Sequence, residues 1–196
     1  AKDATPLNRN NADTLFETIN NNTEGDSIIT PSAKASSSGN EITFELLISA
    51  SGLYTEYFGS KSAALAAIVT MVNRVNEVYQ SDLGITLELI DETEDYIFTD
   101  SDTDPYPDDG WLEDLQANAD TTAGDSSKFD IGHLVTTTSG GVAYAGVCNS
   151  TYKAQGLTGS SDPTGDSFYI DYVAHEIGHQ FNANHTFNGT TSSCGG

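Results

Sequence analysis

A chain of 196 residues is long enough for one well-cored domain, and its 29 acidic against 7 basic residues give a formal net charge of -22. Such a surface lacks the clustered Lys and Arg that phosphate backbones and anionic headgroups require, which excludes nucleic-acid and membrane-surface partners. No apolar run reaches the length of a membrane span, the most apolar stretch being residues 63–72. No basic segment followed by an apolar one opens the chain, so it is expected to begin after any signal peptide.

Residues 1–40 combine an Asn-rich stretch (8–22) with a Ser-rich one (32–39) and show one short helical pattern at residues 15–19. A loosely packed N-terminal segment is expected there, a prosegment remnant being one origin, with the folded domain over residues 41–196. From Glu41 onward Ile42, Phe44, Leu46 and Ile48 alternate with Thr43, Glu45, Leu47 and Ser49, the period of a strand. After Gly59 and Ser60, the residues Leu65, Ile68, Val69, Val72, Val75 and Tyr79 recur at helical spacing, and Gly84 stands where a helix stops. Alternation resumes over residues 85–90, so strand, helix and strand imply a parallel crossover in an α/β sheet covered by helices.

Between Asp91 and Asp109 there are nine acidic residues and no basic one, broken by Pro105 and Pro107. Asp100, Asp102 and Asp104 have the spacing with which calcium loops begin, but Pro105 stands where such loops place glycine, and the closing Glu is missing. A solvated acidic loop is the favoured reading, and calcium the lesser one. A short helix is expected over residues 111–119, a third strand over 129–137, and a fourth over 142–147 after the Ser139-Gly140-Gly141 turn. His133, in the third strand with no partner at ligand spacing, reads as a structural histidine.

The segment from Val173 to Asn188 carries the chemistry: Val-Ala-His175-Glu176-Ile-Gly-His179-Gln-Phe-Asn182-Ala-Asn-His185-Thr-Phe-Asn. Residues four apart on a helix share a face, so His175 and His179 can present both imidazoles to one metal ion. Glu176 follows the first histidine, where its carboxylate can reach a water on the metal without being a ligand. His185 lies six residues past His179, too far along a continuous helix to return to the same point. The backbone must therefore turn between them, and Asn182 is the residue type that best tolerates a left-handed helix end after glycine. Three histidines leave a fourth zinc position for water, as in a catalytic rather than a structural site.

This extended signature resembles that of the metzincins, whose pattern has glycine where this chain has Asn182. Within them it is most similar to the reprolysin or adamalysin group and its bacterial secreted relatives. The stretch from Gly141 to Cys148, Gly-Val-Ala-Tyr-Ala-Gly-Val-Cys, resembles their upper-rim strand and following cysteine, and Tyr172 to Phe181 resembles their active-site helix. Asn at the turn also occurs in the thrombospondin-motif branch. The resemblance implies a twisted, mostly parallel sheet with an antiparallel edge strand, and two helices plus the active-site helix. It also implies a secreted zinc endopeptidase, active as a monomer on protein or peptide substrates. Substrate would lie extended along Gly141, Val142, Ala143 and Tyr144, adding a strand.

The family's Met-turn should follow the third histidine, yet the single methionine is Met71, in the long helix, so the catalytic domain is expected to be truncated before that turn. In reprolysins the cysteine matching Cys148 is bridged beyond the Met-turn, whereas from spacing alone a bridge between Cys148 and Cys194, or two thiols, is equally open. The competing functional reading is an inactive adhesion or binding module that retains zinc.

Overall fold

The computed structural model describes residues 41–106, 112–122, 126–138 and 140–185. The expected N-terminal segment, Trp111, Cys194 and the chain after His185 lie outside the described residues. Strand β1 (Ile42–Ala50) runs parallel to β2 (Ile85–Leu89) on one side and to β3 (Ile131–Thr136) on the other. Beyond β3 the order departs from the sequence, because β5 (Gly156–Gly159) pairs parallel with β3 and pushes β4 (Gly140–Ala143) to the antiparallel edge. The sheet thus reads β2-β1-β3-β5-β4, mostly parallel with one antiparallel edge strand.

Both faces are covered, which explains why β3, β5 and residues 46–50 of β1 are buried rather than half-solvated, while β1 begins exposed at Ile42. One core joins Leu46, Ile48, Ile131 and Val135 to the helices, and the other joins Leu47, Leu134, Val142 and Leu157 to Tyr96, Tyr106 and Leu115. The first face carries α1 (Gly52–Phe58) and the long α2 (Lys61–Leu83); the second carries α3 (Asp114–Thr122). Helix α2 starts where Ser60 Oγ accepts from the Ala63 amide and ends on Gly84 at φ 68°. Its buried stripe is Ala64, Ile68, Met71, Val72, Val75 and Tyr79, whereas Val69, expected inside, is 41% exposed. Ala64 and Met71 extend the i, i+4, i+7 row through Ile68, and Val69 falls one position off that row.

Some boundaries differ from expectation. The fourth strand comprises residues 140–143 rather than 142–147, because the two glycines belong to the ladder, pairing with Thr158 and Gly159. The short helix begins at Asp114 rather than 111. The acidic stretch is not simply a solvated loop: a 3-10 helix (Asp91–Tyr96) opens it, and Tyr96, Phe98 and Tyr106 turn inward while Asp91, Glu94, Asp95, Asp100 and Asp102 stay exposed. Tyr106 is buried, its hydroxyl 2.6 Å from Ser49 Oγ.

In that region the aspartates of the calcium expectation are engaged in the turn itself. Asp104 accepts the Gly52 amide at 2.7 Å through Oδ2 and the Tyr106 amide at 2.9 Å through Oδ1, while Asp100 accepts the Asp102 amide. These carboxylates tie a turn to the start of α1. Among the described residues, the three aspartates are not brought together as a ligand set.

Candidate metal centre

The helix that carries the motif is built in three pieces. A short α4 (Gly165–Phe168) passes into a π-helical stretch (Tyr169–Ala174) and then into α5 (His175–Gln180). Wide turns of this kind recur at functional sites because they rotate the helix beyond them relative to the helix before. Two residues of α2 hold this helix. Arg74 grips Asp166 through two nitrogens at 2.8 and 3.0 Å, and the buried Tyr79 donates its hydroxyl to the Ala174 carbonyl at 2.7 Å, one residue before His175. The first pair is exposed and contributes little energy. The second is buried between helix and core, where a lost hydrogen bond costs more.

Asn182 makes the turn at the end of α5, at φ 65°. The Asn182 amide donates to the His179 carbonyl at 2.8 Å, and the Ala183 amide donates to the Gly178 carbonyl at 3.0 Å. This is the two-bond helix terminus that normally wants glycine, made here by asparagine. It reverses the chain so that His185 comes back to the helix. The Nε2 atoms of His175 and His179 are 2.9 Å apart, those of His179 and His185 3.0 Å, and those of His175 and His185 3.1 Å.

Does this triangle suit a metal? Three ligands on one tetrahedral ion, with bonds of about 2.0–2.1 Å, stand about 3.3–3.4 Å apart, close to the separations seen. Three imidazoles without thiolate or carboxylate form a donor set that zinc accepts readily. His179 Nδ1 lies 2.7 Å from the Ala183 carbonyl oxygen, which can only accept. The Nδ1 proton is thus placed, and Nε2 of the neutral ring keeps its lone pair for a metal. The residues fit the ion.

Glu176 is 6% exposed and stands outside the three-histidine cluster, its carboxylate against β4 at Gly141. Of the expected substrate stretch, Gly141, Val142 and Ala143 lie in β4, with the Val142 side chain in the core on the far face of the sheet. Tyr144 comes just after the strand, its amide donating to the Gln155 carbonyl and its ring 4.4 Å from that of Tyr152. A cleft of about 390 Å³ opens between residues 144–149 and 180–182.

The structure adds a polar network that sequence reasoning missed. Gln180, the last residue of α5, is 1% exposed; its Nε2 donates to the Gly132 carbonyl at 2.8 Å, so its Oε1 must accept, and His133 Nδ1 donates to it at 2.8 Å. His133 Nε2 then accepts from Thr158 Oγ1 at 2.8 Å. Burial pushes the His133 pKa down to about 4, the Gln180 bond opposing that shift in part. His133 is therefore the structural histidine expected, but it serves by anchoring the metal helix to β3 and β5. No spacing rule marks a glutamine for such a task. The amides of Gly146 and Val147 also donate to the Gln180 carbonyl.

The family described as Metallo-peptidase family M12B, Reprolysin-like, matches residues 41–196. The chain belongs to this family. Among solved structures, metalloproteinase-II from Bacteroides fragilis is similar at 16% identity and a TM-score of 0.41, over 91% of this chain and 53% of that one. The chain thus spans about half the length of that structure. No curated protein matches. In this M12B reprolysin-like chain the mostly parallel sheet with its antiparallel edge packs against the helix that carries His175 and His179, and His185 follows that helix after the Asn182 turn. Cys148 is exposed, its thiol pKa raised by partial desolvation and by the Asp130 carboxylate.

Proposed function

We propose that this chain is the catalytic part of a secreted zinc endopeptidase that cleaves extended protein substrates, with His175, His179 and His185 holding the ion and Glu176 acting as the base. The observation that carries this reading is the convergence of three imidazole Nε2 atoms within 3.1 Å of one another, with the buried Glu176 next in sequence to the first of them, in a chain of the M12B family. Zinc is the metal of M12 metallopeptidases. When bound it would supply Lewis acidity, enough for a water to lose its proton near neutral pH.

The remaining work falls to the chain's own residues. Glu176 takes a proton from the attacking water at its carboxylate and returns it to the leaving amine nitrogen, so the two proton transfers use one group. Its burial keeps the carboxylate from being spread over solvent-exposed rotamers. The substrate lies along Gly141, Val142, Ala143 and Tyr144 at the sheet edge, where main-chain hydrogen bonds need no particular side chain and favour an unfolded segment. Secretion rests on the resemblance of the motif to that of the secreted reprolysin-like relatives.

The test is hydrolysis of a disordered protein by the full-length zinc-loaded protein, with the products read by mass spectrometry, before and after chelation. Cleavage that a chelator abolishes and zinc restores is expected. Zinc binding without cleavage would support instead an adhesion module, and cleavage indifferent to chelation would sink the metal assignment.

A further inference from the structure

We infer that Gly141 is a positioning residue for Glu176: the bare Cα of the edge strand is the seat on which the carboxylate rests. The inference builds on the peptidase reading, since it assigns Glu176 a chemical task, but the contact that carries it is independent of that reading. A Cβ placed on Gly141 would stand 2.7 Å from both Cγ and Cδ of Glu176 and nearer still to Oε1. No real Cβ contact is that short, so an alanine there moves the carboxylate, the strand or the helix.

The backbone does not ask for glycine at this position. Among the described glycines, the left-handed φ values belong to Gly59, Gly84, Gly140 and Gly165, and Gly141 is ordinary strand, paired with Thr158. What requires glycine is the space. The next strand repeats the device, because a Cβ on Gly156 would lie 2.6 Å from His133 Nδ1 and 2.5 Å from Gln180 Cδ. Gly141 and Gly156 both lie on the sheet face turned to α5, one under its second residue and one under its last. They let the helix lie directly on the sheet.

The consequence concerns the reaction. Glu176 has three side-chain torsions, and in open solvent its carboxylate would visit many positions. Held between its own helix and the β4 backbone, it has few. The strand expected to receive substrate is then also the strand that sets the base, which keeps the distance from bound peptide to carboxylate constant. A shift of about 1 Å in such a group can cost about a hundredfold in rate.

The experiment uses the full-length zinc-loaded protein as wild type, Gly141→Ala, Glu176→Ala, the double variant and Gly156→Ala alone and with Glu176→Ala. Three readouts are taken: zinc affinity, melting temperature, and kcat with KM. Gly141→Ala is expected to lower kcat about a hundredfold with KM and zinc affinity within about threefold of wild type. It is expected to lower the melting temperature, and removing the Glu176 side chain should restore it, so that the double variant melts with Glu176→Ala. The Gly156→Ala loss should persist without Glu176, because its collision is with Gln180 and His133. If Gly141→Ala does not fold, the double variant must. Wild-type kcat in Gly141→Ala, or an equal melting loss with and without Glu176, would overturn the assignment. Absence of cleavage by wild type would defeat the peptidase reading instead, leaving the melting cycle to decide whether Glu176 sits on Gly141.

Discussion

His179 is bonded through Nδ1 to the carbonyl oxygen of Ala183, 2.7 Å away, and the amide of that same Ala183 closes the turn by donating to Gly178. One residue therefore both ends the helix and orients a candidate ligand on it. The turn that returns His185 and the tautomer of His179 are a single piece of geometry.

Asn182 should be replaceable by glycine and not by a branched residue. Its φ of 65° suits glycine without strain, while a β-branched side chain meets the full left-handed penalty of about 1–2 kcal/mol. We expect Asn182→Gly to keep zinc affinity and stability near wild type. Asn182→Val should lower both, zinc affinity by about tenfold or more as the Ala183 carbonyl swings away from His179. Isothermal titration of zinc into each apo variant reads this directly.

His133 should make stability depend on acid. Its folded pKa, about 4, lies below the ordinary value of 6.5, so between those values the unfolded chain holds a proton that the folded chain refuses. Stability is therefore complete above about pH 6.5 and declines as pH falls towards 4, by up to about 3 kcal/mol from this group. Chemical denaturation across that range should show the decline in wild type. His133→Gln is expected to be less stable at pH 7 yet to lose that part of the pH slope; an unchanged slope would remove His133 as its source.

Asp104 should stabilise α1 whether or not calcium is present. It accepts the Gly52 amide at the helix start and the Tyr106 amide beyond. Asp104→Ala is expected to cost about 1–2 kcal/mol, since each lost bond to a charged acceptor matters more than a neutral one. Melting curves with calcium and with chelator should show the same difference. A calcium-dependent rise in the wild-type melting temperature alone would support the ion-binding reading.

The sequence was most readable where local pattern and tertiary environment agree. The alternation from Ile42 and the helical row from Ile68 to Tyr79 mark β1 and α2 because their buried faces repeat at the right period. The histidine spacing marked the candidate metal site whose three side chains the fold brings together; chain geometry demanded a turn between His179 and His185, and residue type pointed to Asn182 for it. Strand β5, Gly-Leu-Thr-Gly, carried no such signal: four residues with two glycines have almost no pattern, and they pair only because β3 and β4 flank them. The tasks of Gln180 and Gly141 were equally hidden. Each is set by what lies across the sheet, His133 for one and Glu176 for the other, and neither neighbour is near in sequence.

The most direct test of the account is peptide hydrolysis by full-length Glu176→Gln at full zinc occupancy, beside wild type. Amide replaces carboxylate with almost no change of shape, so zinc should bind one to one with wild-type affinity while kcat falls by about 10²–10⁴-fold. Wild-type turnover by the zinc-loaded variant would contradict the account, because the proton would then be taken by some other group.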